Sequence, residues 1–148
     1  MTATLTITSA AFAQGERIPS RYTCDGQEYS PALAWSGAPA TTQSYVLLVH
    51  DPDAPAKDWL HWLVINIPPT TTSVAEQATP TGGVVLPNDS NEAQYGGPCP
   101  PNGEHRYFFT VYALDIPELK STSRSQVEAS MAGHILAQGE LLGRYIRP

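Results

Sequence analysis

Apolar and polar positions along this chain follow strand periods far more often than helical ones. Tyr45-Val-Leu-Leu-Val-His50 and Trp59-Leu-His61-Trp62-Leu-Val-Ile-Asn66 are rich in apolar and β-branched residues and read as two buried strands, the surest part being about Ser44–His50 and His61–Ile67. Arg106-Tyr-Phe-Phe-Thr-Val-Tyr-Ala-Leu-Asp115 is a further strong strand, dense in aromatic residues. Leu5 and Ile7 alternate with threonines and suggest a first strand by period two. From Phe12 to Asn66, Gly15, Pro19, Gly26, Pro31, Gly37 and Pro39 interrupt any helical run. Within that region Arg17–Gly26 reads as a strand edge closed by an Asp25-Gly26 turn, and Pro31–Trp35 as a short extended segment. Pro68-Pro69 ends the second central strand, and Gly82–Asp89 and Tyr95–Gly103 read as irregular.

After Pro117 the period changes. Ser125-Gln-Val-Glu128 can form a capping box, and Val127, Met131 and Ile135 can share the apolar face of a helix near Arg124–Ala132, although Gly133 argues against an uninterrupted one. Gly139–Ile146 then returns as a terminal strand. Many strands, frequent turns and one helix define a mainly β fold: a two-sheet antiparallel sandwich with a peripheral helix. No repeat or composition shift divides residues 1–148, so one domain is expected.

The charge of −6, with no basic block, disfavours nucleic acid or an anionic membrane surface as the main partner. No stretch reaches the roughly 20 apolar residues of a membrane span, so integral membrane association is not expected. The amino terminus lacks a basic region and a sustained apolar core, which makes cytoplasm the default location. In a reducing compartment Cys24 and Cys99 are expected as two free thiols, although one disulfide between them is allowed. Two cysteines alone are a weak basis for zinc, and no cofactor is expected.

The chemistry concentrates at Asp51-Pro52-Asp53-Ala54-Pro55, a stiff corner between the two central strands, because proline fixes φ and carries no N–H. Tyr22-Thr-Cys-Asp-Gly26, Asp51–Pro55, His61-Trp62, Gly97-Pro-Cys-Pro-Pro101 and His105-Arg-Tyr107 occur in one order along nearly the whole chain. In this the sequence resembles the phosphatidylethanolamine-binding protein family, in the short bacterial form that looks like Raf kinase inhibitor protein. The resemblance implies a small anion-binding cavity at one end of the sandwich. It carries the ligand site onto Asp51, His61 and His105, with Asp53, Pro55, Gly97, Pro98 and Tyr107 contacting or shaping it, and it suggests a cis bond before Pro55.

Two imidazoles can donate to phosphate or carboxylate oxygens, and an aspartate can orient an imidazole. Gly96 and Gly97 give backbone N–H groups access to a small ligand, without the GxGxxG pattern of a nucleotide fold. Each residue also has a plainer reading: Asp51 and Asp53 as turn carboxylates, His61 as a satisfied core histidine, Tyr107 as core packing, and Arg106 as an outward salt-bridge partner on the opposite strand face. The function expected is binding of a small phosphate- or carboxylate-bearing ligand, such as a phospholipid head group, coupled to control of a regulatory protein partner. The alternatives are an interaction or inhibitor module with a vestigial anion pocket, and an acid/base enzyme, for which no spacing establishes a relay. Self-association through a β surface would give a homodimer.

Overall fold

In a computed structural model, which describes residues 3–148, the chain forms two packed sheets. The strands are β1 (Ala3–Thr4), β2 (Thr6–Thr8), β3 (Leu33–Ser36), β4 (Ser44–Asp51), β5 (Trp59–Ile67), β6 (Ser73–Val74), β7 (Val84–Leu86), β8 (His105–Leu114) and β9 (Ile135–Tyr145), with helix α1 (Arg124–Met131) between the last two. The larger sheet runs β1-β9-β8-β4-β5-β7 and the smaller β2-β3-β6. All pairings are antiparallel except β1 with β9. The expected sandwich with a peripheral helix is the observed fold.

The near-continuous apolar runs of β4 and β5 follow from burial on both faces of the larger sheet. Tyr45, Leu47 and Val49 point into a core shared with Ile7, Leu33 and Trp35 of the smaller sheet. Val46 and Leu48 point the other way, into a second core closed by Leu119, Val127 and Met131 around α1. On β5 the alternation breaks at one position that matters for the site. Val49 pairs with Trp62 but His50 pairs with Leu60, so His61 is the extra residue of a β-bulge. A bulge re-aims its side chain and tightens the local twist.

Several local expectations are corrected. The Arg17–Gly26 segment is not a strand edge: Arg17 makes a single bridge to Arg144, and residues Ser20–Tyr22 form a 3-10 turn held by Thr23 Oγ1 donating to the Ser20 carbonyl at 2.9 Å. Gly82–Asp89 is not wholly irregular, because Val84–Leu86 pairs with β5 as the sheet edge. The helix is capped by Ser123, which accepts from the Gln126 N–H, while Gln126 Oε1 accepts from the Thr122 N–H. The reciprocal cap thus lies two residues upstream of the Ser125–Glu128 box. Gly133, at φ 83, ends the helix in the left-handed region that favours glycine, and Ile135 belongs to β9, packing against the Val127 and Met131 core from there.

Candidate functional site

The corner after β4 is built by Asp51 itself. Its Oδ1 accepts the Asp53 N–H at 2.8 Å, closing an Asx turn, and its Oδ2 meets His105 Nδ1 at 2.7 Å. Both side chains are buried, so one carboxylate closes the turn and holds the histidine. No peptide bond among the described residues is cis, which corrects the expectation for Pro55. Two trans prolines with an Asx turn are enough to turn the chain.

His105 opens β8, and Tyr107 shares its face by strand alternation. The Tyr107 ring lies 5.3 Å from the His61 ring, edge on, and 6.5 Å from the His105 ring, nearly parallel. It is the floor beneath both imidazoles and does not line the cleft. Its hydroxyl is buried without a hydrogen-bond partner, and burial, reinforced by the Asp51 charge, raises its pKa far above the ordinary phenol range.

His61 is gripped by Gly96 twice. The Gly96 N–H donates to the His61 carbonyl at 2.8 Å, and His61 Nδ1 lies 2.8 Å from the Gly96 carbonyl. A carbonyl only accepts, so Nδ1 carries the proton and Nε2 is left for the cleft. Burial lowers the His61 pKa, with the Gly96 bond opposing, so the ring is neutral at pH 7. At His105 the hydrogen bond likewise occupies Nδ1, here with Asp51 Oδ2, so Nε2 is again the ring nitrogen left over.

The wall opposite is the Gly96–Pro101 segment. Gly97 donates its N–H to Glu28 Oε2 at 2.9 Å, and a Cβ at this position would come within 2.9 Å of the Tyr22 carbonyl oxygen, so glycine is required. Pro98 is buried and does not line the cleft; its carbonyl accepts the Cys24 N–H at 3.1 Å. The two cysteines form a disulfide, with Cα atoms 5.4 Å apart, and this overturns the expectation of free thiols. The loops are already joined by the Cys24 to Pro98 bond and by Tyr95 Oη donating to the Tyr22 carbonyl at 2.8 Å, which brings the sulfurs within bonding reach.

These elements enclose a cleft of about 460 Å³ at one end of the sandwich. Of the residues named from the sequence, Asp51, Pro55, His61, Gly97 and His105 line it. Asp53 does not. Its carboxylate holds Arg106 through the backbone N–H and Nε at Oδ2 and through an Nη at Oδ1, each at 2.9 Å. Arg106 therefore points outward as strand alternation requires, and Asp53 anchors the start of β8 to the corner. Glu28, Trp59, Asn88 and Glu92 also line the cleft and were not singled out by sequence. Asn88 is a buried brace, donating to the Gln94 carbonyl at 2.9 Å; an Asn in a Gly/Pro stretch gave no sign of burial.

The Asp53 pairing has a pH signature. Hydrogen bonds from Arg106 lower the Asp53 pKa to about 2, so its contribution is complete above the ordinary carboxylate range near pH 4 and is lost as pH falls through about 2. The pair is partly exposed, which keeps the contribution small, below about 1 kcal/mol. Asp53→Asn should lower the thermal midpoint at pH 6 by a few degrees at most, and the gap should close as the pH falls from about 4 towards 2. A gap that persists unchanged at pH 2 would contradict this.

A buried Asp-His pair, a second histidine held by Gly96 and a disulfide-joined loop surround a small cleft at one end of the β-sandwich. The chain belongs to the phosphatidylethanolamine-binding protein family, whose sequence model matches residues 8–146. Among curated relatives, the UPF0098 protein of Methanothermobacter thermautotrophicus is 47% identical over 144 residues, spanning 93% of this chain and 95% of that protein. The UPF0098 protein of Aquifex aeolicus is 42% identical over 154 residues, spanning 98% and 90%. Among solved structures, a phosphatidylethanolamine-binding protein homolog from Chlamydia trachomatis superposes with a TM-score of 0.92 at 38% identity, over 99% of this chain and 100% of that one. E. coli YbcL, described as a member of the mammalian family, does so with a TM-score of 0.91 at 33% identity, with the same coverage.

Proposed function

We propose that the end cleft binds a small phosphate- or carboxylate-bearing ligand, a phospholipid head group being one member of that class, in a protein of the bacterial Raf-kinase-inhibitor-like branch that acts through a regulatory protein partner. The observation that carries the ligand reading is the pair of histidines whose Nδ1 atoms are committed to Gly96 and Asp51, leaving both Nε2 atoms to one cleft. Catalysis is not part of this reading. The Asp51-His105 pair resembles part of a relay, but both cysteines that line the cleft are joined in the disulfide, which leaves neither as a nucleophile.

The tautomers impose a condition on binding. A neutral imidazole with its proton on Nδ1, as at His61, presents a lone pair at Nε2, and a lone pair cannot hold an oxygen of a fully deprotonated phosphate. No Lys or Arg lines the cleft to supply the missing donors. To bond that Nε2, a phosphomonoester must bring a proton on its own oxygen or place one on the imidazole. Its second pKa is near 6, so affinity should rise as pH falls from 8 towards 6, by up to about tenfold per unit for one proton. Calorimetric titration with a short phosphomonoester at pH 8, in two buffers of different ionisation enthalpy, should show about one proton taken up. Saturable binding with no proton uptake would overturn the tautomer assignment, and absence of binding by the folded protein would favour the interaction module with a vestigial pocket.

No described helix is long and apolar enough to cross a membrane. A cytoplasmic location and a homodimer are further parts of the proposal. The exposed edge at β7, where Val84 is half exposed, is the surface a homodimer would use, and sedimentation as a monomer at high concentration would remove that part.

A further inference from the structure

Glu28 does something in this cleft that neither strand packing nor turn-making requires. It is an exposed residue held at φ 61, in the left-handed region that side chains other than glycine, asparagine and aspartate seldom adopt. From there its carboxylate reaches the Gly97 N–H at 2.9 Å, in the same cleft that His61 and His105 line. The Gly97 N–H is thus a working oxyanion donor, and the oxyanion it holds belongs to the protein.

From this we infer that Glu28 is the affinity- and specificity-setting residue of the cleft: an internal carboxylate that an incoming phosphate must displace from the Gly97 N–H. The inference rests on the anion-binding reading above. Three features support displacement by a swing of the side chain. The backbone of the Glu28 loop is fixed by the Cys24–Cys99 bond and by the Cys24 N–H to Pro98 carbonyl bond, so the loop need not open. The Glu28 side chain has solvent to move into, since the residue is exposed. Gly97 itself is buried, so once Glu28 leaves, its N–H must find another acceptor, and a ligand oxygen bonded by the histidines is the acceptor at hand. Displacement sets a threshold: a ligand has to out-compete a tethered carboxylate, which selects phosphate over simple carboxylates of equal size.

Inorganic phosphate, titrated into the full-length protein and followed by amide NMR at pH 6.5, tests this. Glu28→Asn shortens the side chain out of reach while suiting the positive φ, and Glu28→Gln keeps a neutral acceptor in place. Charge-assisted hydrogen bonds are about twice as strong as neutral ones, so Glu28→Asn should bind phosphate about five- to tenfold more tightly than the wild type, with Glu28→Gln between them. The Gly97 amide should shift with phosphate in all three, and acetate should bind Glu28→Asn detectably better than it binds the wild type. Unchanged or weaker phosphate binding in Glu28→Asn, or a Gly97 amide that ignores phosphate while histidine-adjacent amides respond, overturns the inference and leaves the ligand reading standing. No saturable shift in any folded variant removes both.

Discussion

Reduction of the Cys24–Cys99 bond lowers the stability of the fold by about 3 kcal/mol and its thermal midpoint by roughly 10 °C. The bridge joins positions 75 residues apart, so it removes much conformational freedom from the unfolded chain. Chain-entropy reasoning gives about 4 kcal/mol for a loop of that size, and residual structure in the unfolded state reduces the figure. The folded side changes less, because the Cys24 N–H to Pro98 carbonyl bond and the Tyr95 hydroxyl to Tyr22 carbonyl bond continue to join the same loops. Denaturant titration with and without reductant, and of a Cys24→Ser, Cys99→Ser double variant, should give matching losses. A loss below about 1 kcal/mol contradicts the entropic account. The same bond tests location. Disulfides persist chiefly in oxidising compartments. The bond and the proposed cytoplasmic location therefore pull apart: in cells quenched in acid and alkylated at once, an unlabelled pair would support the bond and count against the cytoplasm, and two labelled thiols would do the reverse.

Removing the His105 side chain should be the most damaging of the single substitutions in the site, costing about 3 kcal/mol of stability as well as ligand binding. The Asp51 and His105 side chains are only 4% and 8% exposed, so His105→Ala strands a buried carboxylate that keeps one backbone donor and loses its ring partner. Asp51→Asn is the informative comparison. Its amide oxygen can still accept from the Asp53 N–H or from His105 Nδ1, so its cost should be nearer 1 kcal/mol while binding falls at least as far. His61→Ala should also cost about 1 kcal/mol, since what it leaves is a single Gly96 carbonyl beside a cleft open to water. Urea unfolding of the three variants distinguishes them, and equal losses would mean that the carboxylate is not held as a buried ionic partner.

How much of this was legible in the sequence depends on whether the signal was local. The apolar runs of β4, β5 and β8 specify strands by themselves, and the end cleft was implied by the family resemblance that the motifs carry. Tertiary placement escaped. Nothing in Trp59-Leu-His61-Trp62 shows that His61 occupies a bulge, because that is a property of its register against Val49 and His50. Asp51 and Asp53 look interchangeable in the corner, yet one turns inward to His105 and the other outward to Arg106, which follows from where β8 begins. The disulfide left no local signal, because the proximity that permits it is made by the Tyr22–Tyr95 and Cys24–Pro98 hydrogen bonds between loops distant in sequence. Glu28 was invisible for a related reason: its partner is a backbone N–H, which leaves no trace in side-chain patterns.

The central claim is that His61 and His105 turn their Nε2 atoms to a single oxyanion. Nitrogen-15 spectra of the histidine side chains, recorded at pH 7 while inorganic phosphate is added to the native protein, test it most directly. In the free protein both rings should show a protonated Nδ1, and the His61 ring an unprotonated Nε2. Phosphate should move both Nε2 resonances towards the protonated or hydrogen-bonded position along one saturable curve, leaving both Nδ1 resonances nearly in place. Nε2 signals that stay fixed, or that move with different apparent affinities while the amide spectrum reports an intact fold, would contradict a shared site.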